Sequence, residues 1–137
     1  MSKLLQRLQD PTRSGVYRAR RSEEIVDATR GGNLNVTRIV LADGKNPLPS
    51  IAGALAFPDW FGQNWDALED CLSDLSWREA AGYVLIFENA AASDELGILT
   101  DVLTACAEFW TARGKPFFAV FIDPQRTLTL PDLFREA

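Results

Sequence analysis

Residues 57–75 read Phe57-Pro58-Asp59-Trp60-Phe61-Gly62-Gln63-Asn64-Trp65-Asp66-Ala67-Leu68-Glu69-Asp70-Cys71-Leu72-Ser73-Asp74-Leu75. Pro58 and Gly62 punctuate an aromatic loop. Asn64 has the chemistry of an N-cap, and a periodic apolar run starts directly behind it. At about 100° per residue, Asp66, Glu69, Asp70, Ser73 and Asp74 share one side of the helix. Leu68, Cys71, Leu72 and Leu75 share the other, with Trp65 at the border. No Lys or Arg occurs between Lys45 and Arg78, so nothing local neutralises the acidic side. Like charges four residues apart, such as Asp66 and Asp70, destabilise an isolated helix by roughly 0.2–0.5 kcal/mol a pair. Such a face is either plain solvated surface or a surface that meets a cationic partner.

The flanks of this helix define the fold. Upstream, residues 35–42 are β-branched and apolar and read as a strand. A turn at residues 43–47 and a short helix over 48–56 lead into the aromatic loop. Downstream, Tyr83-Val84-Leu85-Ile86-Phe87 is a continuous apolar run, the pattern of a strand buried on both faces. Ser93 or Asp94 caps a long helix whose Leu96, Leu99, Val102, Leu103, Cys106, Phe109 and Trp110 recur at helical spacing. Gly114 and Pro116 end it, and residues 117–122 form a third buried strand. Strands separated by helical crossovers pair in parallel. The expectation is an α/β domain around a small parallel sheet of three core strands packed with helices.

The ends carry shorter patterns. Residues 1–14 form a short helical arm stopped by Pro11. Residues 15–20 suit a strand, and Ser22 suits the N-cap of a helix that ends at Gly31-Gly32. Sequence assigns that strand no neighbour. The tail from Asp123 carries two prolines and suits one last helical turn near Leu133-Phe134. The expected organisation is an extension over 1–34, the central domain over 35–123 and a tail over 124–137.

Composition narrows the chemistry. The chain has 137 residues, 47% hydrophobic and 24% charged, which suits one soluble domain. It has no histidine, which removes the commonest general base, zinc ligand and partner of a nucleophile. Cys71 and Cys106 both fall on apolar helix faces, as buried free thiols do. The net charge of −5 is unevenly spread: residues 1–38 hold eight basic and four acidic side chains, the remainder six and fifteen. The acidic bulk argues against direct nucleic-acid binding and for a basic protein partner. No apolar run approaches the roughly 18–20 residues that span a bilayer, and residues 1–8 lack a secretory apolar segment. Both point to a cytoplasmic protein without membrane contact.

Phosphate-loop, dinucleotide, nucleophile-elbow and paired-cysteine motifs are absent from the sequence. One constellation has the density for chemistry: Asp66, Glu69 and Asp70, with Asp123 at a strand end, would suit a Mg²⁺-dependent hydrolase. The stronger expectation is a non-enzyme without cofactor or metal. A stand-alone acidic module for a basic protein that is not a nuclease is the other binding alternative.

Pro58 to Leu72 resembles the barstar signature, a Pro-acid-aromatic-aromatic-Gly-x-Asn-x-Asp-Ala-Leu-x-Asp-Cys-Leu run, without a gap. The order of elements over residues 35–123 agrees with it. The resemblance implies a bacterial antitoxin, an inhibitor that plugs the basic active site of a barnase-type ribonuclease with an acidic helix and its preceding loop. Carried over by motif, Asp70 is the main phosphate mimic, Asp66 a second anionic anchor and Trp60 an aromatic contact. Ser73 stands for the family's threonine, and Gly62 and Asn64 shape the loop. Glu108 matches a further acidic contact on the last long helix when that helix is aligned without a gap. Glu69 departs from the pattern, since the family has a tryptophan there. A carboxylate at that position favours a partner with Arg or Lys opposite it.

Overall fold

The computed structural model describes residues 2–42, 46–59 and 61–134. Four parallel strands form one sheet, in the order β1 (Gly15–Ala19), β4 (Phe117–Ile122), β3 (Gly82–Glu88), β2 (Leu34–Val40). The two apolar runs are the central strands, and alternate side chains fill two cores. Tyr83, Leu85, Phe87, Phe117, Ala119 and Phe121 point to the front core, and Val84, Ile86, Phe118 and Val120 to the back core. Gly82 is required where β3 begins: a Cβ there would stand 2.5 Å from Pro116 Cγ and 2.9 Å from Leu34 Cδ2.

Among the described residues five α-helices cover the two faces: α1 (Lys3–Leu8), α2 (Ser22–Thr29), α3 (Leu48–Ala54), α4 (Trp65–Leu72) and α5 (Asp94–Thr111). The direction of each crossover decides the face. From β2 the chain steps one way along the sheet, to β3 and then β4, so right-handed crossovers put α3, α4 and α5 on the front. From β1 to β2 it steps the other way across two strands, so α2 lies on the back. Ile51, Leu68, Leu72, Leu103 and Trp110 fill the front core, and Leu8 and Ile25 the back core.

The N-terminal strand, which sequence left without a neighbour, is an edge strand paired to β4. The tail clasps that edge. Leu128 enters the front core and Leu133 the back core, with Arg18 between them. The Arg18 amide donates to Pro131 O (2.8 Å), and the Leu133 amide donates to Arg18 O (2.9 Å). The half-buried Arg18 side chain pairs with Asp132 at 2.9 Å. A bridge between Arg18 and Asp132 therefore stands where a last helical turn was expected near Leu133.

Two local expectations shift. Ser22 is the first residue of α2 and is buried; Arg21 occupies the N-cap position without a side-chain bond. The acidic helix ends at Leu72, Leu75 takes a left-handed conformation, and a 3-10 turn at Ser76–Arg78 follows. Ser93 is the cap of α5, its hydroxyl accepting from the Leu96 amide.

Candidate functional site: the acidic helix and its loop

α4 is held from its start and from beneath. Asn64 is extended (φ −137°, ψ 172°), and its Oδ1 accepts from the Ala67 amide at 2.8 Å. A cap of this kind contributes about 1 kcal/mol. Asn64 Nδ2 donates back to Gly62 O at 3.3 Å, which fixes the loop against the helix. The left-handed turn residue is Gln63 (φ 57°), so the strain lies one residue beyond Gly62. Phe61 is buried edge-on against Phe57, which in turn meets Trp77. Trp60 lies outside the described residues.

The buried side of α4 is fully sealed, with Leu68, Cys71 and Leu72 each at 0% exposure. Trp65 is half-buried against the same core. Two indoles brace the layer from the sides: Trp110 Nε1 donates to Leu72 O (2.7 Å) and Trp77 Nε1 to Leu55 O (3.0 Å). The first of these satisfies a carbonyl in the last turn of α4, one of the groups a helix end leaves open.

The outer side carries Asp66, Glu69 and Asp70, all exposed, with Asp74 just beyond the helix. Among the described residues, none of these four makes an ion pair. Asp66 sits in the first turn, where the helix dipole favours it. Their field reaches the thiols below. Burial pushes the Cys71 thiol up, and the charges of Asp70 and Asp74 add to it. Burial likewise pushes Cys106 up to about 12, against a hydrogen bond from Ser73 and with the charge of Glu69. Both cysteines are buried and free, and neither is poised as a nucleophile.

Ser73 and Glu108 are less simply placed than their spacing implied. The half-buried Ser73 hydroxyl turns to α5 and donates to Cys106 Sγ at 3.7 Å, while that thiol faces Glu69 O at 4.0 Å. Glu108 follows Cys106 by two residues, so it projects about 200° further round α5. It is exposed and lines a groove with Thr12, Ser14, Gly15 and Thr111, beside β1. The structure thus gathers Asn64, Asp66, Glu69, Asp70 and Ser73 on α4 and its caps, and sets Glu108 on the outer side of the neighbouring helix.

Asp123 does not join the acidic side of α4. It is buried at the end of β4, where its carboxylate accepts from Thr127 N (3.0 Å), Thr127 Oγ1 (2.9 Å) and Leu128 N (2.8 Å). Burial alone would raise its pKa; these bonds and Arg18 outweigh burial and hold it below the usual carboxylate value. Its role is to fold the loop that carries Leu128 into the front core. Among the described residues no group of three or more His, Cys, Asp or Glu side chains is arranged to hold a metal ion. Nor is any helix among them long and apolar enough to cross a membrane.

The fold and the site define a class: a small α/β protein that holds an uncompensated acidic helix on the front of a parallel sheet. The comparison with protein families makes this particular. The family described as barstar (barnase inhibitor) matches residues 38–122, from within β2 to the end of β4. The chain belongs to the barstar family, a family of inhibitors. No curated protein and no solved structure matches the chain.

Proposed function

We propose that this protein inhibits a barnase-type ribonuclease by laying α4 and the loop before it into the enzyme's basic active site. The observation that carries the reading is the outer side of α4, where Asp66, Glu69 and Asp70 stand exposed without an ion pair among the described residues. An enzyme that cleaves RNA must hold phosphate with cations, and carboxylates on a rigid helix satisfy those cations in place of substrate. In this reading Asp70 is the central mimic and Asp66 a second anchor. Trp60 is the aromatic contact, Gly62 and Asn64 shape the loop, and Glu108 is a flanking acid. Ser73 serves as a rim contact after its hydroxyl turns away from Cys106. Glu69 meets an Arg or Lys on the partner where the family pattern has tryptophan, so the cognate enzyme differs from barnase at that point of its rim. The protein is not itself an enzyme, and it works as a cytoplasmic antitoxin.

The test is affinity capture from the native host with the wild type and the Asp66→Ala/Asp70→Ala double variant, followed by calorimetry with the partner recovered. Removing one member of a buried charge pair costs about 2–5 kcal/mol, a general range to which the barnase–barstar pair itself contributes. The expected result is a partner with RNA-cleaving activity that the double variant fails to hold. A captured partner without that activity would instead support the acidic interaction module. Unchanged affinity in the double variant would remove α4 from the interface altogether.

A further inference from the structure

The sheet has two edges, and they are treated differently. At β1, Gly15, Tyr17 and Ala19 are the residues whose backbone faces β4, as the bond from the Asp123 amide to Ala19 O shows. Arg18 therefore turns its backbone outward, and the tail occupies it through Pro131 O and the Leu133 amide. That edge is blocked over its C-terminal half, which leaves Val16 as the one outward residue of β1 beyond the tail's bonds. At β2, the Leu41 amide donates to Glu88 O, so the odd-numbered residues face β3. In a parallel ladder the alternate residues face away. The backbone groups of Leu34, Val36, Arg38 and Val40 thus line the outer edge, where they have no hydrogen-bond partner among the described residues. Val40 on this edge is 65% exposed, the most exposed large hydrophobic residue described.

We propose that two copies of this chain pair antiparallel through β2, forming a two-fold dimer with one continuous eight-stranded sheet. An unpaired edge is a template for another strand, and long open edges are usually blocked by charge, bulge or cover. Here the only charged side chain among the outward residues is Arg38, and Glu88 of the neighbouring strand already neutralises it at 2.7 Å. A two-fold pairing of β2 with itself consumes both open edges and leaves outermost the β1 edges that the tail obstructs at Arg18, so association closes at two copies and does not run on into a filament. A register centred on Thr37 pairs all four outward residues: Leu34 with Val40 of the other copy and Val36 with Arg38. It forms about eight new backbone hydrogen bonds, sets Val40 against an apolar neighbour and opposes no like charges directly. The two-fold axis runs perpendicular to the sheet, so both α4 helices face the same side and one dimer presents two acidic sites.

Sedimentation velocity and amide hydrogen exchange on the full chain test this directly. At about 100 µM, where a micromolar dissociation constant gives nearly complete association, the mass should be twice the 15.2 kDa of the chain. Protection of the Val36, Arg38 and Val40 amides should fall on dilution, while that of β3 amides stays constant. Val40→Lys places a charge on the exposed edge and should return the mass to 15.2 kDa with an unchanged circular dichroism spectrum. A wild-type mass of 15.2 kDa at that concentration overturns the proposal. So does edge-amide exchange that ignores dilution, or a dimer that Val40→Lys leaves intact.

Discussion

Replacing Ile25 by Ala tests whether the N-terminal extension belongs to the same cooperative unit as the matched family region. Ile25 lies on α2, outside residues 38–122, and is 1% exposed in the back core. Its neighbours there include Val84, Ile86, Phe118 and Val120, all from the two central strands at 0% exposure. Truncating such a residue removes its transfer free energy and leaves a cavity beside a sheet that has little freedom to collapse, at a cost of about 2–5 kcal/mol. With a urea dependence of about 2 kcal/mol/M, the middle of the range for small domains, the midpoint should fall by about 1–2.5 M. Tryptophan fluorescence is a demanding probe because Trp65, Trp77 and Trp110 all belong to the front layer, on the other side of the sheet. If the extension is integral, the front-layer signal shifts with the full loss and the transition stays single. If fluorescence keeps its wild-type midpoint while circular dichroism shows a separate early loss of helix, the extension is an independent arm and the reasoning fails.

Two further changes probe the supports of the site. Asp123→Ala leaves the buried Leu128 amide without an acceptor and should cost about 1–3 kcal/mol in urea unfolding. Because the native pKa of Asp123 is lowered, its contribution is fully present above the ordinary value of 3.8 and lost as pH falls below that through the native value. Wild-type stability should therefore drop in that acid window more steeply than that of Asp123→Ala; parallel pH profiles would refute the assignment. Trp110→Phe keeps an aromatic ring, smaller than the indole, and removes the bond to Leu72 O, so the last turn of α4 should lose at least about 1–3 kcal/mol of support. Faster amide exchange at Cys71 and Leu72 is the readout, and unchanged exchange there would show that packing alone holds the turn.

The central strands and the acidic helix were legible because their signals are local. Two continuous apolar runs have no other placement than the middle of a covered sheet, and Asn64 caps α4 through an atom three residues away. The edge strand was harder to place. All five residues of β1 are half-buried, so their pattern carries no alternation, and the partner of Arg18 is more than a hundred residues distant. The tail misled for the same reason. It read as a proline-bearing tail with one last helical turn, yet Leu128 and Leu133 are anchored in opposite cores by contacts no window of sequence contains. Within the site, the direction of the Ser73 hydroxyl is set by Cys106 on another helix, and the strain sits on Gln63 where glycine chemistry pointed to Gly62.

The cost of an unpaired acidic helix explains why so much structure converges on α4. The pair Asp66–Asp70 disfavours the helix by roughly 0.2–0.5 kcal/mol, and Asp74 adds a third carboxylate just past its end. Fully burying a residue such as Leu68 or Leu72 contributes about 1.5–3 kcal/mol, so one such residue outweighs that repulsion. The Asn64 cap and the two indole braces add to that margin. Stability therefore never required a lysine or arginine on the outer face. A cation placed there would have relieved the repulsion and, by the same contact, occupied the carboxylates. In the proposed complex, leaving them without an ion pair among the described residues keeps their field available to the partner, on a backbone already fixed before binding. Fixing the charges in advance lowers the ordering cost of association, which is the advantage a helix has over a flexible acidic loop of equal charge.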